Sequence, residues 1–397
     1  MDRDNSERLR GSQRSRSQHG GRPLPRTDPA DAGAVPGDGQ GRLPSIRDVA
    51  QLAGVSHQTV SRVLNDHPNV RERTRLKVLT AVREMGYRPN HLARALATGR
   101  SGTVGVVTLN SALYGPTSML YAVEEAAREA GFGISITSLR SIDRSSVFRA
   151  IERLRNQGVE GLIVIAPVSR SAEPLDQIRP ETPLVSVDSY LSPSVPAVGV
   201  DQSVGARLAT EHLLAQGHRT VWHISGPRDW LDSRGRIEGW KATLESAGCE
   251  VPPPISGDWS AQSGYDAGQL LARMPEVTAV FAANDHMALG LLHALREHRR
   301  RVPEDVSVVG YDDVPEAAYY LPPLTTIRQD FDQVGRAALR LLLDQLESGS
   351  SAPSQLLIEP VLVVRSSTTT ARLEPGAGEP TTAPVPLVPF DEEAGMS

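Results

Sequence analysis

The chain has 397 residues, a net charge of −5 and 39% hydrophobic residues, enough for two or three domains with sizeable cores. Its one cysteine, Cys249, excludes an internal disulfide framework and fits a reducing cytoplasm, where we expect the protein to reside. No apolar run is long enough to span a bilayer, and the Arg-, Gly- and Ser-rich start lacks the apolar core of a secretory signal.

Charge is distributed unevenly along the chain. Residues 44–100 hold 10 basic and 4 acidic side chains, whereas the residues after Arg100 carry a net charge of −13. A basic module on an acidic body suits a polyanionic partner that contacts one end of the protein only. A solvated surface explains the same balance, so charge alone is weak support for such a partner.

The two ends of the chain have the composition of disordered segments. Residues 1–43 have few apolar side chains and many Gly, Pro, Ser and Arg. The arginines there would add non-specific affinity for DNA, or the extension is inert. The Pro-rich stretch at 368–397 is predicted to be disordered as well.

Two short helices are predicted at the start of the basic module. Apolar residues recur at helical spacing from Ile46 to Ala53, and Gly54 then supplies the backbone freedom that a tight turn needs. Ser56 can cap a second helix, which has Val60 on its buried side. Two short helices joined by a turn that contains glycine predict a helix-turn-helix.

The exposed face of the second helix carries groups that suit base edges and phosphates in a major groove. We expect Arg62 and Gln58 to contact bases. Ser56 and Thr59 are expected to hold phosphates. The DNA-contact candidates of this region are Ser56, His57, Gln58, Thr59, Ser61, Arg62 and Asn65.

A third helix is predicted from Glu72 to Met85, with a stop at Gly86. Its buried side is predicted to consist of Val78, Leu79, Val82 and Met85. About two helical turns then fit between Asn90, a good N-cap, and Gly99. An isolated helix of that length is marginal in water, so we expect it to form only when something holds it.

These segments resemble the DNA-binding headpiece of the LacI/GalR family of bacterial transcriptional repressors, in particular its lactose-repressor branch. The motifs are Ile-Arg-Asp-Val-Ala-x-Leu-Ala-Gly-Val-Ser, Thr-Val-Ser-Arg-Val-Leu-Asn and Gly-Tyr-x-Pro-Asn-x-x-Ala-Arg-x-Leu. The resemblance extends to about Arg365. An ordinary helical subdomain would explain any one of these helices, but not the series in this order. The resemblance adds Asn90, Ala93 and Leu96 of the short hinge helix as DNA contacts, with Leu96 as a minor-groove wedge.

From Thr103 the pattern changes to alternating buried strands and helices. Strands are predicted at 103–109, 133–138, 161–166, 183–187, 197–200, 220–224, 277–282 and 306–310. Helices are predicted at 118–130, 146–157, 203–216, 233–247, 263–273 and 286–297. Apolar runs such as 161–165 are typical of parallel sheets covered on both faces, so we predict an α/β fold with two open sheets.

The family resemblance implies a periplasmic-binding-protein-like core, in which two open parallel-sheet subdomains enclose a ligand cleft. The chain would cross between them near Asp201 and near Gln329. The predicted organisation is an extension at 1–43, an all-α helix-turn-helix headpiece at 44–89, a hinge helix at 90–99, an effector-binding and dimerisation core at 100–367 and a tail at 368–397.

We predict no catalytic activity and no bound cofactor or metal. The Gly-x-Ser-x-Gly, P-loop and His-Glu-x-x-His motifs are absent from the sequence. Asp312 and Asp313, like the scattered histidines His293 and His298, lack the ligand spacing of a closed metal site. A solvated surface is the better interpretation of these residues.

Polar and aromatic residues of the core cluster at predicted loops and strand ends, where open α/β sheets bind ligands. A sugar offers many hydroxyls and one apolar face, so it needs bidentate polar partners and an aromatic surface. The candidate effector contacts, which look like the inducer contacts of lactose-type repressors, are Asp188, Arg236, Trp259, Asn284, Asp312, Gln329 and Phe331. Alternatively, Trp259 and Phe331 are core aromatics and Asp312 caps a turn.

The stretch 227–232 departs from the family pattern. Trp230 and Asp232 stand where lactose-type repressors have paired serines, which leaves the identity of the sugar open. We interpret the chain as a sequence-specific DNA-binding repressor whose operator affinity is controlled by a small molecule, a sugar or glycoside, with a purine or sugar phosphate as alternatives. A transport-type solute receptor is the rival from another class, and the headpiece and the missing signal peptide oppose it.

We also predict a homodimer that does not form tetramers. A palindromic operator mirrors a twofold protein, and the core offers the larger interface. Lactose-type repressors form tetramers through a C-terminal leucine heptad helix. Here the tail from Leu373 to Ser397 contains five prolines and no heptad pattern, so it cannot build that helix.

Overall fold

The computed structural model describes residues 44–64, 67–87, 100–109, 112–140, 144–165, 182–187, 195–349 and 354–371. Within these ranges the chain forms two compact units, a headpiece that extends to Tyr87 and a core that begins with Arg100. The predicted extension and hinge helix, and the tail beyond Ala371, lie outside the described residues. Within those residues, no helix has the length and apolar character needed to cross a membrane.

The headpiece consists of α1 (Ile46–Ala53), α2 (His57–Leu64) and α3 (Glu72–Glu84). A capping box starts α1, because the Ser45 backbone N–H donates to the Asp48 carboxylate at 2.7 Å and the Asp48 N–H donates to Ser45 Oγ at 3.4 Å. Gly54 ends α1 with a φ of 65°, a left-handed conformation that glycine adopts without strain. The headpiece therefore contains the helix-turn-helix that the sequence predicts.

A small apolar core joins the three helices of the headpiece. Its buried members are Val49, Ala50, Ala53, Val60, Val63, Val78 and Ala81. On α3 the prediction was wrong for Leu79, which is 38% exposed. The buried stripe instead follows Val78, Ala81 and Val82, which recur at i, i+3 and i+4 on one side of the helix.

The first subdomain of the core is built on a parallel sheet of six strands. These are β1 (Thr103–Leu109), β2 (Gly133–Leu139), β3 (Gly161–Ile165), β4 (Leu184–Val187), β5 (Ala197–Val200) and β11 (Gln355–Ile358), in the order β11-β5-β4-β3-β1-β2. Helices α4 (Tyr114–Glu129) and α10 (Phe331–Ser348) cover one face, and α5 (Arg144–Asn156) covers the other. Two buried apolar layers thus enclose this sheet, as the sequence predicts.

The second subdomain is built on a parallel sheet of four strands. These are β6 (Trp222–Ser225), β7 (Ile255–Ser256), β8 (Ala279–Ala282) and β9 (Ser307–Val309), in the order β7-β6-β8-β9. One face is covered by α6 (Gln202–Ala215) and α7 (Leu231–Ser246), and the other by α8 (Ala261–Leu271) and α9 (Asp285–Glu297). The antiparallel strands β10 (Thr326–Arg328) and β12 (Val361–Val363) pair beside it.

In the described part of the core, three chain segments connect the subdomains. The chain leaves the first sheet after β5 at Asp201 and returns through Gln329 to α10, as predicted. A third crossing, which the sequence did not predict, runs through 359–360 from β11 to β12. The sequence-based assignment stops at Gly310, so it lacks α10 and the strands on either side of this helix. The cavity described below lies close to two of these crossings.

Two predicted boundaries are wrong. Helix α4 begins at Tyr114, a full turn before the predicted start, because Pro116 is tolerated in the first turn, where the backbone N–H has no partner in the helix. The core also extends beyond the predicted limit of 367. The Thr369 N–H donates to Ser307 Oγ at 3.1 Å, and the Ala371 N–H donates to the Gln216 carbonyl at 2.8 Å.

Candidate functional site

A cavity of about 380 Å³, a volume that includes space open to solvent, lies between the two subdomains of the core. This size is in the range of sites that bind small molecules. The first subdomain contributes Leu113, Tyr114, Pro116, Met119 and Phe331, and the second contributes Trp230, Asp232, Arg236, Trp259, Asn284, Asp312 and Gln329. Six of the seven predicted effector contacts therefore line one cavity. The seventh, Asp188, lies outside the described residues.

A closed network of four buried side chains forms the polar wall. Arg236 Nε donates to Gln202 Oε1 at 2.9 Å, and Gln202 Nε2 donates to Gln329 Oε1 at 3.1 Å. Gln329 Nε2 then donates to Asp312 Oδ1 at 2.7 Å. The network closes because Arg236 Nη2 lies 3.8 Å from that same Asp312 oxygen. Gln202 and Gln329 stand at two of the chain crossings, so the network ties the cavity wall to the connections between the subdomains.

Further contacts fix the orientation of the Arg236 guanidinium. Its Nη1 donates to the Ala283 carbonyl. Its Cζ lies 3.7 Å from the ring centroid of Tyr311 and 5.4 Å from that of Trp259. Contacts of a cation with aromatic faces contribute on the order of 0.5–2 kcal/mol each. Arg236 is thus a preorganised donor at the centre of the wall.

Two carboxylates share the electrostatic field of this one guanidinium. Burial raises the pKa of Asp312 to about 7, and the nearby Arg236 cation limits the rise. Burial also raises the pKa of Asp232 to about 6, again opposed by Arg236. The wall has one net negative charge when all three groups are ionised, and it takes up protons close to neutral pH.

Aromatic rings line both sides of the cavity. Trp230 and Trp259 meet edge to face, with centroids 5.7 Å apart, and Tyr114 meets Phe331 in the same way at 6.0 Å. Trp259 and Phe331 also belong to the apolar cores of their subdomains. The two interpretations of these residues, cavity aromatics or core aromatics, therefore describe the same positions.

Two of the predicted effector contacts, Asn284 and Asp312, also form hydrogen bonds within the protein. Asn284 Oδ1 accepts the Met287 N–H at 2.8 Å and so caps α9, while Nδ2 donates to the Trp259 carbonyl at 3.1 Å. Asp312 has a φ of 106°, and its carboxylate accepts from Gln329 rather than capping a turn. Both side chains hold the wall while they line the cavity.

The prediction that Asp312 and Asp313 form a solvated surface was wrong. Asp312 is buried, and the Asp313 side chain is only 7% exposed and accepts from Arg328 and Arg365, each at 2.6 Å. Among the residues that the structure describes, no group of three or more His, Cys, Asp or Glu is arranged to hold a metal ion.

The predicted DNA-contact face lies on α2 of the headpiece. Ser56, His57, Gln58 and Arg62 are exposed, whereas Thr59 and Ser61 are half-buried. Ser56 Oγ accepts the Thr59 N–H at 3.2 Å, so this predicted phosphate contact also caps α2. The other four predicted DNA contacts, Asn65, Asn90, Ala93 and Leu96, lie outside the described residues.

Sequence reasoning missed three residues of the cavity lining, Tyr114, Trp230 and Asp232, and two residues that contact Arg236, Gln202 and Tyr311. Gln202 follows Asp201 directly at a predicted crossing, and Tyr311 precedes Asp312 at a predicted strand end. Either position was a usable signal. Tyr114 was missed because the residues before 118 favour a loop. Trp230 and Asp232 were noticed only as a departure from the family pattern.

A helix-turn-helix headpiece and a two-sheet core with an interdomain cavity together define a ligand-responsive DNA-binding regulator. The family profile described as "Bacterial regulatory proteins, lacI family" matches residues 45–90, and that of "Periplasmic binding protein-like domain" matches residues 210–368. The chain belongs to the LacI family of bacterial regulatory proteins and is not an enzyme.

Known members of the family resemble most of the chain. The lactose operon repressor of Escherichia coli K12 is 36% identical over 329 residues, which are 82% of this chain and 91% of that protein. The structure of the lac repressor dimer bound to operator and the anti-inducer ONPF matches with a TM-score of 0.73 at 35% identity, covering 83% of this chain and all of that one. The structure of a CelR–cellobiose complex matches with a TM-score of 0.61 at 35% identity, covering 82% and 99%.

Proposed function

We propose that this LacI-family repressor binds a palindromic operator as a dimer, and that a sugar or glycoside in the core cavity changes its affinity for that operator. The binding unit for DNA is the headpiece at 44–89 with the hinge segment at 90–99. The core, from 100 to at least Ala371, binds the effector and holds the dimer together. The protein acts where the DNA is, in the cytoplasm.

The two walls of the cavity differ in polarity, and this difference is the main support for a sugar effector. The described lining from the first subdomain is apolar apart from the Tyr114 hydroxyl, whereas the second subdomain supplies the carboxylates, the amides and Arg236. A pyranose ring has a hydroxyl edge and an apolar face, and it would fill such a space with each side against its matching wall. Relatives support this class, since CelR has been solved with cellobiose.

Contact with both walls gives the effector a means of control. A ligand that bridges two subdomains stabilises the arrangement in which both walls touch it. The network from Arg236 through Gln202 to Gln329 reaches two of the crossings between the subdomains. We infer that Arg236 and Asp312 bind hydroxyls, and that Trp259 and Phe331 contact the apolar face.

On the DNA side, we propose that Arg62 and Gln58 read bases and that Ser56 and Thr59 hold phosphates. Arginine commonly pairs with guanine in the major groove, and the exposed Arg62 is free to enter it. Leu96 would enter the minor groove at the centre of the operator, where hinge helices from two subunits meet. An effector that separates those hinge segments would melt them and weaken binding.

The experiment has two stages. Selection from a random DNA library identifies the operator, and its affinity is measured by fluorescence anisotropy. Thermal-shift screening with lactose, cellobiose, ribose and related sugars identifies the effector, and anisotropy is repeated with each hit. We expect at least one sugar to raise the melting temperature and to change operator affinity. Specific DNA binding that no ligand of the core alters would contradict the proposal.

A further inference from the structure

Asp232 differs from the other polar groups of the cavity in having no hydrogen-bond donor. It lies in the first turn of α7, one helical turn before Arg236, and it is half-buried against the cavity. Within the described ranges, no side chain or backbone N–H donates to its carboxylate, and the charged groups near it are Arg236, which attracts it, and Asp312, which repels it. It is therefore not a capping residue of its helix.

The neighbouring amide and guanidinium groups, unlike Asp232, each have a hydrogen-bond partner in the protein. The side-chain amides of Gln202, Gln329 and Asn284 are hydrogen-bonded to protein groups. Arg236 donates to Gln202 and to the Ala283 carbonyl. Because Asp232 is half-buried, its carboxylate has lost part of its hydration without gaining a hydrogen bond from a described protein group, and this raises the free energy of the ligand-free protein. Such a group is suited to a partner that arrives with the ligand.

A second unsatisfied atom lies in the same wall. The indole Nε1–H of Trp259 is buried and has no acceptor among the described residues, and Trp259 is only 6% exposed. A ligand that satisfies both groups needs hydroxyls that donate to Asp232 and an oxygen that accepts from Trp259. The Trp230 ring, edge to face with Trp259, adds an apolar surface beside them.

Charge narrows the ligand class further. Asp232 and Asp312 face a single guanidinium, so a phosphate or carboxylate group would bring a further negative charge into a wall that already has a negative excess. Neutral vicinal hydroxyls, by contrast, donate to the two oxygens of one carboxylate.

We propose that Asp232 determines the specificity of the cavity. Its carboxylate accepts hydrogen bonds from two hydroxyls of a neutral carbohydrate, and its negative charge excludes phosphorylated sugars. This inference rests on the proposed sugar effector and adds the class of sugar. It also assigns a role to the position at which the chain departs from the paired serines of lactose-type repressors.

The test compares neutral, phosphorylated and cationic probes on full-length protein. Calorimetric titration uses cellobiose, lactose, ribose and glucose, then ribose 5-phosphate, glucose 6-phosphate and glucosamine. We expect at least one neutral sugar to bind and phosphorylated partners to bind at least tenfold more weakly. Asp232→Asn should weaken the neutral sugar about tenfold or more, the loss typical of a charge-assisted hydrogen bond. The substitution should also reduce the difference in affinity between the neutral and the phosphorylated sugars.

The control is Asp229→Asn, an exposed site on the same segment, which removes the same charge away from the cavity and should leave all affinities unchanged. Asp232→Asn should also raise the melting temperature of the ligand-free protein, whereas a structural role predicts a fall. Equal or tighter binding of a phosphorylated sugar, binding of glucosamine but not glucose, or an unchanged affinity in Asp232→Asn overturns the role of Asp232. If no sugar binds to protein that still binds its operator, the sugar effector itself is wrong.

Discussion

Replacing Arg236 with alanine tests the cavity wall most severely. The change leaves Gln202 Oε1 and the Ala283 carbonyl without a donor and Asp312 without its cation. Each unsatisfied buried polar group costs about 1–3 kcal/mol, and breaking a buried ion pair costs about 3–5 kcal/mol. The total loss of stability is limited because Asp312 can become neutral. Burial has already raised the pKa of Asp312 to about 7, so its carboxyl can take up a proton when the Arg236 cation is absent.

We therefore expect Arg236→Ala to lower the free energy of unfolding of the core by about 3–5 kcal/mol at pH 8, and by less at pH 6. Urea unfolding followed by tryptophan fluorescence measures this directly, because all four tryptophans lie in the second subdomain: Trp222, Trp230, Trp240 and Trp259. The headpiece should still bind operator DNA at a temperature where the variant is folded, but its response to the effector should be lost.

Arg234→Ala is the matched control for this substitution. Arg234 is exposed on the same helix, and among the described residues it donates to one group, the Arg228 carbonyl, at 3.2 Å. Its removal should change stability by no more than about 0.5 kcal/mol. If Arg236→Ala unfolds within that margin of the wild type, or responds to wild-type concentrations of effector, the account of the wall is refuted.

The remaining predictions concern DNA contacts, assembly and pH. Arg62→Ala should weaken operator binding by about 1–3 kcal/mol and relax base preference at one position, as measured by anisotropy on single-base operator variants. Leu96→Ala should reduce operator affinity and bending, as measured by gel-shift of permuted fragments. Deleting residues 373–397 should leave a dimer mass in light scattering. His223 is buried against Phe281, and burial lowers its pKa to about 4. Below about pH 6.5 this histidine is protonated in the unfolded chain but stays neutral in the native state until about pH 4. The free energy of unfolding of the wild type, relative to that of His223→Phe, should therefore fall by up to about 3 kcal/mol between pH 7 and pH 4.

Each of these predictions has a contradicting result. Equal weakening of Arg62→Ala on operator and random DNA would remove its base-reading role. Normal bending by Leu96→Ala would remove the wedge. A tetramer that becomes a dimer on deletion would show that the tail assembles. If the difference in free energy of unfolding between His223→Phe and the wild type does not vary with pH, the native state binds the proton as readily as the unfolded chain.

The sequence was most informative where a periodic pattern meets a specific terminator. In α1, the apolar stripe from Ile46 to Ala53 and the terminator Gly54 agree, so the helix has its predicted ends. Strand β1 also has its predicted ends, because a continuous run of buried apolar residues defines it. Six cavity residues were found because predicted strand ends and loops of an open sheet converge at one edge and because these positions resemble the inducer contacts of lactose-type repressors.

The sequence was least informative where contacts join distant segments. Gln202 and Gln329 are 127 positions apart, and nothing local shows that their amides meet. Strand β10 has three residues, too few to display a period. Asp232 could be recognised as unpaired only once the partners of its neighbours were known. Long-range pairing, rather than local propensity, determines the polar wall.

Thermodynamic reciprocity tests the central claim most directly. If the effector in the core cavity changes operator affinity by some factor, then operator must change effector affinity by that same factor. Calorimetry with free protein, and with protein saturated with operator, measures the effector dissociation constant in both states. We predict a ratio of about 5–150, equal within error to the ratio of operator affinities measured with and without effector. An effector that binds free and operator-bound protein equally well would contradict the coupling of cavity to DNA.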